Sequence, residues 1–179
     1  MEITTQEKIN LSYLFISAYE NIVNLIKPIH NSINDLLKGA TIDDSEIILS
    51  MYKIFKEKFT NKKTLKIKNT HRLLVEIGIF SKEDLKILIM LSKIRSEIGH
   101  ENLNIYFNKN INFEYFKIEN LLKLYKKLFE RFSKISIKKD AVELNKILNE
   151  NKLNYELLIK LINELFKDLK FENIKTILN

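Results

Sequence analysis

The chain has no cysteine, which rules out disulfides and thiolate metal sites and permits a reducing compartment without requiring one. Proline occurs once, as Pro28, and glycine three times, as Gly39, Gly78 and Gly99. So few residues suited to tight turns argue against a β-sandwich or a many-hairpin fold and for helices joined by polar loops. No uninterrupted apolar run reaches the roughly 18 residues that span a bilayer. The opening Met1-Glu-Ile-Thr-Thr-Gln-Glu-Lys8 lacks a basic segment followed by an apolar one, so no secretory signal is expected and the simplest location is the cytoplasm. No His/Asp/Glu cluster with ligand spacing is visible, and no metal or cofactor is expected. Internal repeats and low-complexity tracts are also missing.

What is present suits a folded all-α protein. At 179 residues the chain holds one domain with a substantial core, and its 45% hydrophobic and 30% charged content argues against wholesale disorder. A net charge of +7 favours an anionic partner such as RNA. The same excess of lysine and asparagine over arginine, alanine and glycine is also the footprint of AT-rich coding, so composition leaves both explanations open.

Apolar spacing locates the helices. Ile9, Tyr13, Ile16, Ile22, Leu25, Ile26, Ile33 and Leu36 mark one face over residues 5–38, expected as two helices or one kinked at Pro28, with Gly39 as the stop. Asp43 or Asp44 is expected to cap a second helix reaching Thr60, with Ile47, Ile48, Met51, Ile54, Phe55 and Phe59 inward. After a polar loop to Asn69, a short helix capped by Asn69 or Thr70 runs to Ile77. Ser81-x-x-Asp84 reads as a capping box that opens the next helix, where Ile87, Leu88, Leu91, Ile94 and Ile98 form a broad apolar stripe. Phe113 to Ile135 is the clearest helix, and 138–149 with 155–170 reads as a C-terminal helical hairpin. We therefore expect a helical bundle over 1–135 and an extension over 136–179 packed on the same domain. The aromatic segment Tyr106 to Phe116 fits core packing better than a base-stacking surface.

Only Arg72, Arg95 and Arg131 interrupt an otherwise all-lysine basic complement, and histidine is limited to His30, His71 and His100. Arginine offers a planar, permanently charged fork for phosphate or carboxylate, and histidine exchanges protons near neutral pH. Arg95 and His100 stand together near the end of the apolar Leu85–Ile94 helix, after Leu73-Leu74-Val75-Glu76-Ile77-Gly78-Ile79-Phe80-Ser81. Over roughly residues 65 to 105 this arrangement resembles the R-x4-6-H signature of the HEPN superfamily of small helical domains. Many members carry Asn directly after the arginine, where this chain has Ser96.

The resemblance implies a HEPN-like bundle and a metal-independent endoribonuclease of the kind found in toxin–antitoxin and antiviral defence systems. Its partners would be RNA, a second copy of the chain joined through the Arg95 helix, and a neutralising protein. In that picture His100 exchanges protons with the RNA 2′-hydroxyl or the leaving oxygen, Arg95 stabilises phosphoryl charge, and Ser96 orients one of them. Residues five apart on a straight helix point about 140° away from each other. Either the helix ends near Gly99, or the pair works across two chains. The residue types equally fit a surface ion pair at Arg95 and a histidine at a helix C-terminus. His71 with Arg72 reads as a helix-start surface pair more readily than as a second contribution to the same cleft, and His30 as a turn or core-edge residue. Two further readings stay open: a non-catalytic helical regulator, immunity protein or inhibitor, which Ser96 favours, and a structural adaptor.

Overall fold

The computed structural model describes residues 3–39, 46–58, 64–100, 105–106, 108, 111 and 113–136, with 149–150, 152–153, 156–157 and 160 near the end. Its described elements are helical, α1 (Thr5–Leu37), α2 (Glu46–Lys58), α3 (Ile67–Glu76), α4 (Lys82–His100), a short 3-10 helix (Phe113–Phe116) and α5 (Ile118–Ser136), and the fold is all-α. The expected hairpin over 138–170 and the 136–179 extension lie almost wholly outside the described residues.

α1 organises the bundle. Thr4 and Glu7 close a reciprocal capping box at its start, with Glu7 Oε2 accepting from Thr4 N at 2.6 Å and Thr4 Oγ1 accepting from Glu7 N at 3.2 Å. The helix then runs through Pro28 as a single element, so of the two expectations, two helices or one kinked at the proline, the chain forms one helix. Proline removes one backbone bond and crowds one carbonyl. Against that, Leu25, Ile26, Ile29 and Ile33 are all buried on either side of it, so packing holds the helix together across the defect. α1 touches α2, α3, α4, α5 and the 3-10 helix. Gly39, at φ 90°, ends it in a backbone conformation that side chains disfavour.

α2 packs Met51 and Phe55 into the core, with Ile48 and Ile54 at its margin. The proposed Asp43 or Asp44 cap and the Ile47 and Phe59 side chains are outside the described residues. α3 begins earlier than expected, after Lys66, and has no side-chain cap. Asn69 and Thr70 lie inside its first turns, buried, because the Thr70 hydroxyl is engaged sideways by His30 instead of capping. Gly78, at φ 76°, carries the chain out of α3, and Phe80 N–H closes on Leu74 O at 2.9 Å.

The expected continuous helix from Phe113 is split. Lys117 adopts φ 47°, which ends the 3-10 turn and restarts the chain as α5. Leu121, Leu122, Leu124, Tyr125, Leu128 and Phe132 are then buried, mainly against α1 and α4. Phe116 is fully buried and Tyr115 packs edge-on to it at 5.3 Å, so the described part of the aromatic segment serves the core.

Candidate functional site

α4 starts at the Ser81–Asp84 capping box: Asp84 Oδ2 accepts from Ser81 N at 2.8 Å, and Ser81 Oγ accepts from Asp84 N at 3.1 Å. Asp84 is buried, and Lys127 of α5 donates to its Oδ1 at 2.6 Å. Arg131 stands 3.7 Å from Oδ2 and donates to Ile79 O. Burial is the largest influence on this carboxyl and would raise its pKa. The hydrogen bonds from Lys127 and Ser81, with the Lys127 charge, outweigh it and leave the pKa below the usual value. One of the three arginines is thereby assigned to joining α5 to the start of α4.

Along α4 the stripe Leu88, Leu91, Ile94 and Ile98 is buried in the protomer's own core, with Ile87 half-buried. The stripe therefore offers no surplus apolar surface to a second copy. The opposite face is exposed and contains Ile89, Lys93, Ser96 and His100 at a four-three-four spacing, which places them on one ridge. The helix continues through Gly99 to His100, so both Arg95 and His100 lie on it. Ser96 and His100 share a face one turn apart, and Arg95 projects from the flank.

Arg95 is not idle on that flank. Its Nε and Nη2 both donate to Oε1 of Glu20 on α1, at 3.2 and 3.0 Å. The pair is about half exposed, with side chains 46% and 42% accessible, which puts it among ion pairs worth at most about 1 kcal/mol. A neighbouring carboxylate, Glu97, accepts a 2.6 Å hydrogen bond from the Tyr115 hydroxyl and ties α4 to the 3-10 helix. Glu20 was invisible to sequence reasoning, since 75 positions separate it from Arg95.

The remaining histidines meet at another junction. His30 lies across from α3, with Nδ1 2.8 Å from Thr70 Oγ1 and Nε2 3.2 Å from Asn34 Nδ2. His71 is brought close enough to His30 to feel its charge; burial first and that charge second hold its pKa down to about 4. Burial lowers His30 as well. His30 is thus a core-edge residue as expected, while His71 is a half-buried member of the α1–α3 contact. The sequence did offer one overlooked signal here, the i, i+4 spacing of His30 and Asn34 on a helix.

Among the described residues, no group of three or more His, Asp or Glu could hold a metal ion. Among them, too, no helix is long and apolar enough to cross a membrane. No family model matches the chain, and neither a curated protein nor a solved structure matches it.

Proposed function

We propose that the chain is a HEPN-type endoribonuclease that cleaves RNA by 2′-hydroxyl attack without a metal ion. The observation that carries this reading is the exposure of Arg95, Ser96 and His100 together on the last two turns of α4, beside buried Ile94 and Ile98. A fixed cation and a proton-transfer group are then held by a rigid, packed helix and presented to solvent. Because the helix is continuous, one protomer turns Arg95 and His100 to different sides, so the reading calls for a second copy approaching along the Ile89–Lys93–Ser96–His100 ridge. One His100 takes the 2′-hydroxyl proton, the 2′-oxygen attacks phosphorus, and the 5′-oxygen leaves with a proton from the other His100. Arg95, once released from Glu20, neutralises the phosphoryl oxygens. The products are a 2′,3′-cyclic phosphate and a 5′-hydroxyl.

A second reading is a non-catalytic helical protein that acts through protein contacts as a regulator, inhibitor or immunity protein. The Arg95–Glu20 pair favours it, because the guanidinium already has a carboxylate. Purified protein incubated with single-stranded RNA and excess chelator decides between them. Cleavage leaving cyclic phosphate ends, and a loss of about 10² to 10⁴-fold in His100→Ala, is the expected outcome. Absence of cleavage across varied RNAs, or cleavage by both His100→Ala and Arg95→Ala unchanged from wild type, overturns the nuclease reading in favour of the binder.

A further inference from the structure

Leu65, just ahead of α3, has both of its backbone polar groups bonded by one side chain. Asn34 Oδ1 accepts from Leu65 N at 2.8 Å, and Asn34 Nδ2 donates to Leu65 O at 3.2 Å. A backbone N–H can only donate and a carbonyl only accept, so Leu65 dictates which way the Asn34 amide points. The same Nδ2 stands 3.2 Å from His30 Nε2. An amide nitrogen only donates, and its two protons are shared among Leu65 O, His30 O at 3.2 Å and His30 Nε2, so the ring is best accommodated with Nε2 bare and accepting. The ring proton therefore sits on Nδ1 and is donated to Thr70 Oγ1 at 2.8 Å. Both imidazole nitrogens are committed, and each commitment traces back to the polarity of the Leu65 backbone.

A second proton on the ring breaks this chain of dependence. Nε2–H would face the Asn34 N–H, donor against donor. Turning the amide over would satisfy His30 but set Nδ2 against the Leu65 N–H, and withdrawing the ring would abandon Thr70, which is fully buried. An open cleft of about 430 Å³, lined by Asn31, Asn34, Asp35, Lys38, Thr64 and Leu65, brings solvent to the clamp. We propose that His30 and Asn34 form a proton-gated latch, in which protonation of His30 releases Leu65 and the start of α3 from α1 while the rest of the bundle stays folded.

The surrounding charges do not oppose the gate. On α1, Asp35 and Lys38 are paired with each other at 3.5 Å; Lys66 and Lys68 flank the start of α3; where α2 meets α3, Lys58 is paired with Glu76 at 2.6 Å. Among the described residues no carboxylate is paired with either imidazole, and the charge that reaches His71 is that of His30. Both histidines titrate below their ordinary value of 6.5 in the closed state. The closed latch is thus fully favoured above about pH 6.5 and weakens as pH falls below it, because the open state binds more protons. This inference stands apart from the ribonuclease reading.

Amide hydrogen exchange of the full-length protein, followed by NMR between pH 7.5 and 5 and corrected for intrinsic rates, tests the latch. Protection at Leu65 and the first turn of α3 should fall by up to about tenfold per pH unit for each proton taken up, with Leu121 and Tyr125 unchanged. Nitrogen shifts of the His30 ring should show the proton on Nδ1 at pH 7.5. Asn34→Asp, whose carboxylate welcomes a doubly protonated ring, should move the acid opening to lower pH. Flat Leu65 protection, a ring proton on Nε2, or simultaneous loss of protection throughout the core would each overturn the proposal.

Discussion

Asp84 is the residue on which two helices depend most directly, because its carboxylate both caps α4 and receives Lys127 from α5. Asp84→Asn keeps an acceptor for Ser81 but turns an N–H toward the Lys127 ammonium. Breaking a fully buried pair costs roughly 3–5 kcal/mol; the partial exposure of Lys127 reduces this to about 2 kcal/mol, readable as a lowered denaturant midpoint at pH 7. The pH dependence has a definite sign. Since folding lowers the Asp84 pKa, its contribution is complete above the ordinary carboxyl value of 3.8 and is lost as pH falls through the folded value. The stability gap between wild type and Asp84→Asn should therefore be constant near neutrality and shrink below about pH 4. This capping box was legible in Ser81-x-x-Asp84, because both halves lie within one turn of sequence. Its ionic half was not, since 43 positions separate Lys127 from Asp84.

At the scale of elements, the helices were legible where apolar spacing was regular and illegible where a single residue sets the boundary. Pro28 suggested two helices or one kinked helix, and burial of Leu25, Ile26, Ile29 and Ile33 favours the single helix. Lys117 carried no warning at all, because a lysine at positive φ leaves no trace in composition. The α3 cap was misplaced for a related reason: Thr70 has the chemistry of a cap but uses its hydroxyl on His30. Pro28 remains a defect in an otherwise continuous helix, and Pro28→Ala restores a donor to the Asn24 carbonyl. Thermal unfolding should show this variant stabilised by about 1–3 kcal/mol. A loss of stability would mean that α1 must bend there to meet its neighbours.

For the whole molecule, an all-α bundle could be read from scarce glycine and proline and from helical periodicity. The candidate site was readable as a motif but not as an arrangement. Spacing showed that Arg95 and His100 diverge on a straight helix, whereas the Glu20 contact depends on how α1 crosses α4. Folding also places the broad apolar stripe of α4 in the interior. Any two-fold contact must therefore use the more polar outer ridge, and its strength should be modest. Sedimentation is expected to show a concentration-dependent dimer in the micromolar range that Ser96→Arg, placing like charges across the contact, disperses. A monomer at every concentration would remove the two-chain site.

The central position of α1 has a consequence for how the protein is made. α1 leaves the ribosome before the other described helices, yet α5, the helix it packs against most, is made last of them. Lys8 alone waits a hundred residues for the Asn108 carbonyl that receives its ammonium. Until α5 arrives, part of the apolar face of α1 has no final cover. During synthesis the nascent chain should therefore present a long greasy helix to chaperones, and its window of vulnerability closes only when residues 118–136 have emerged.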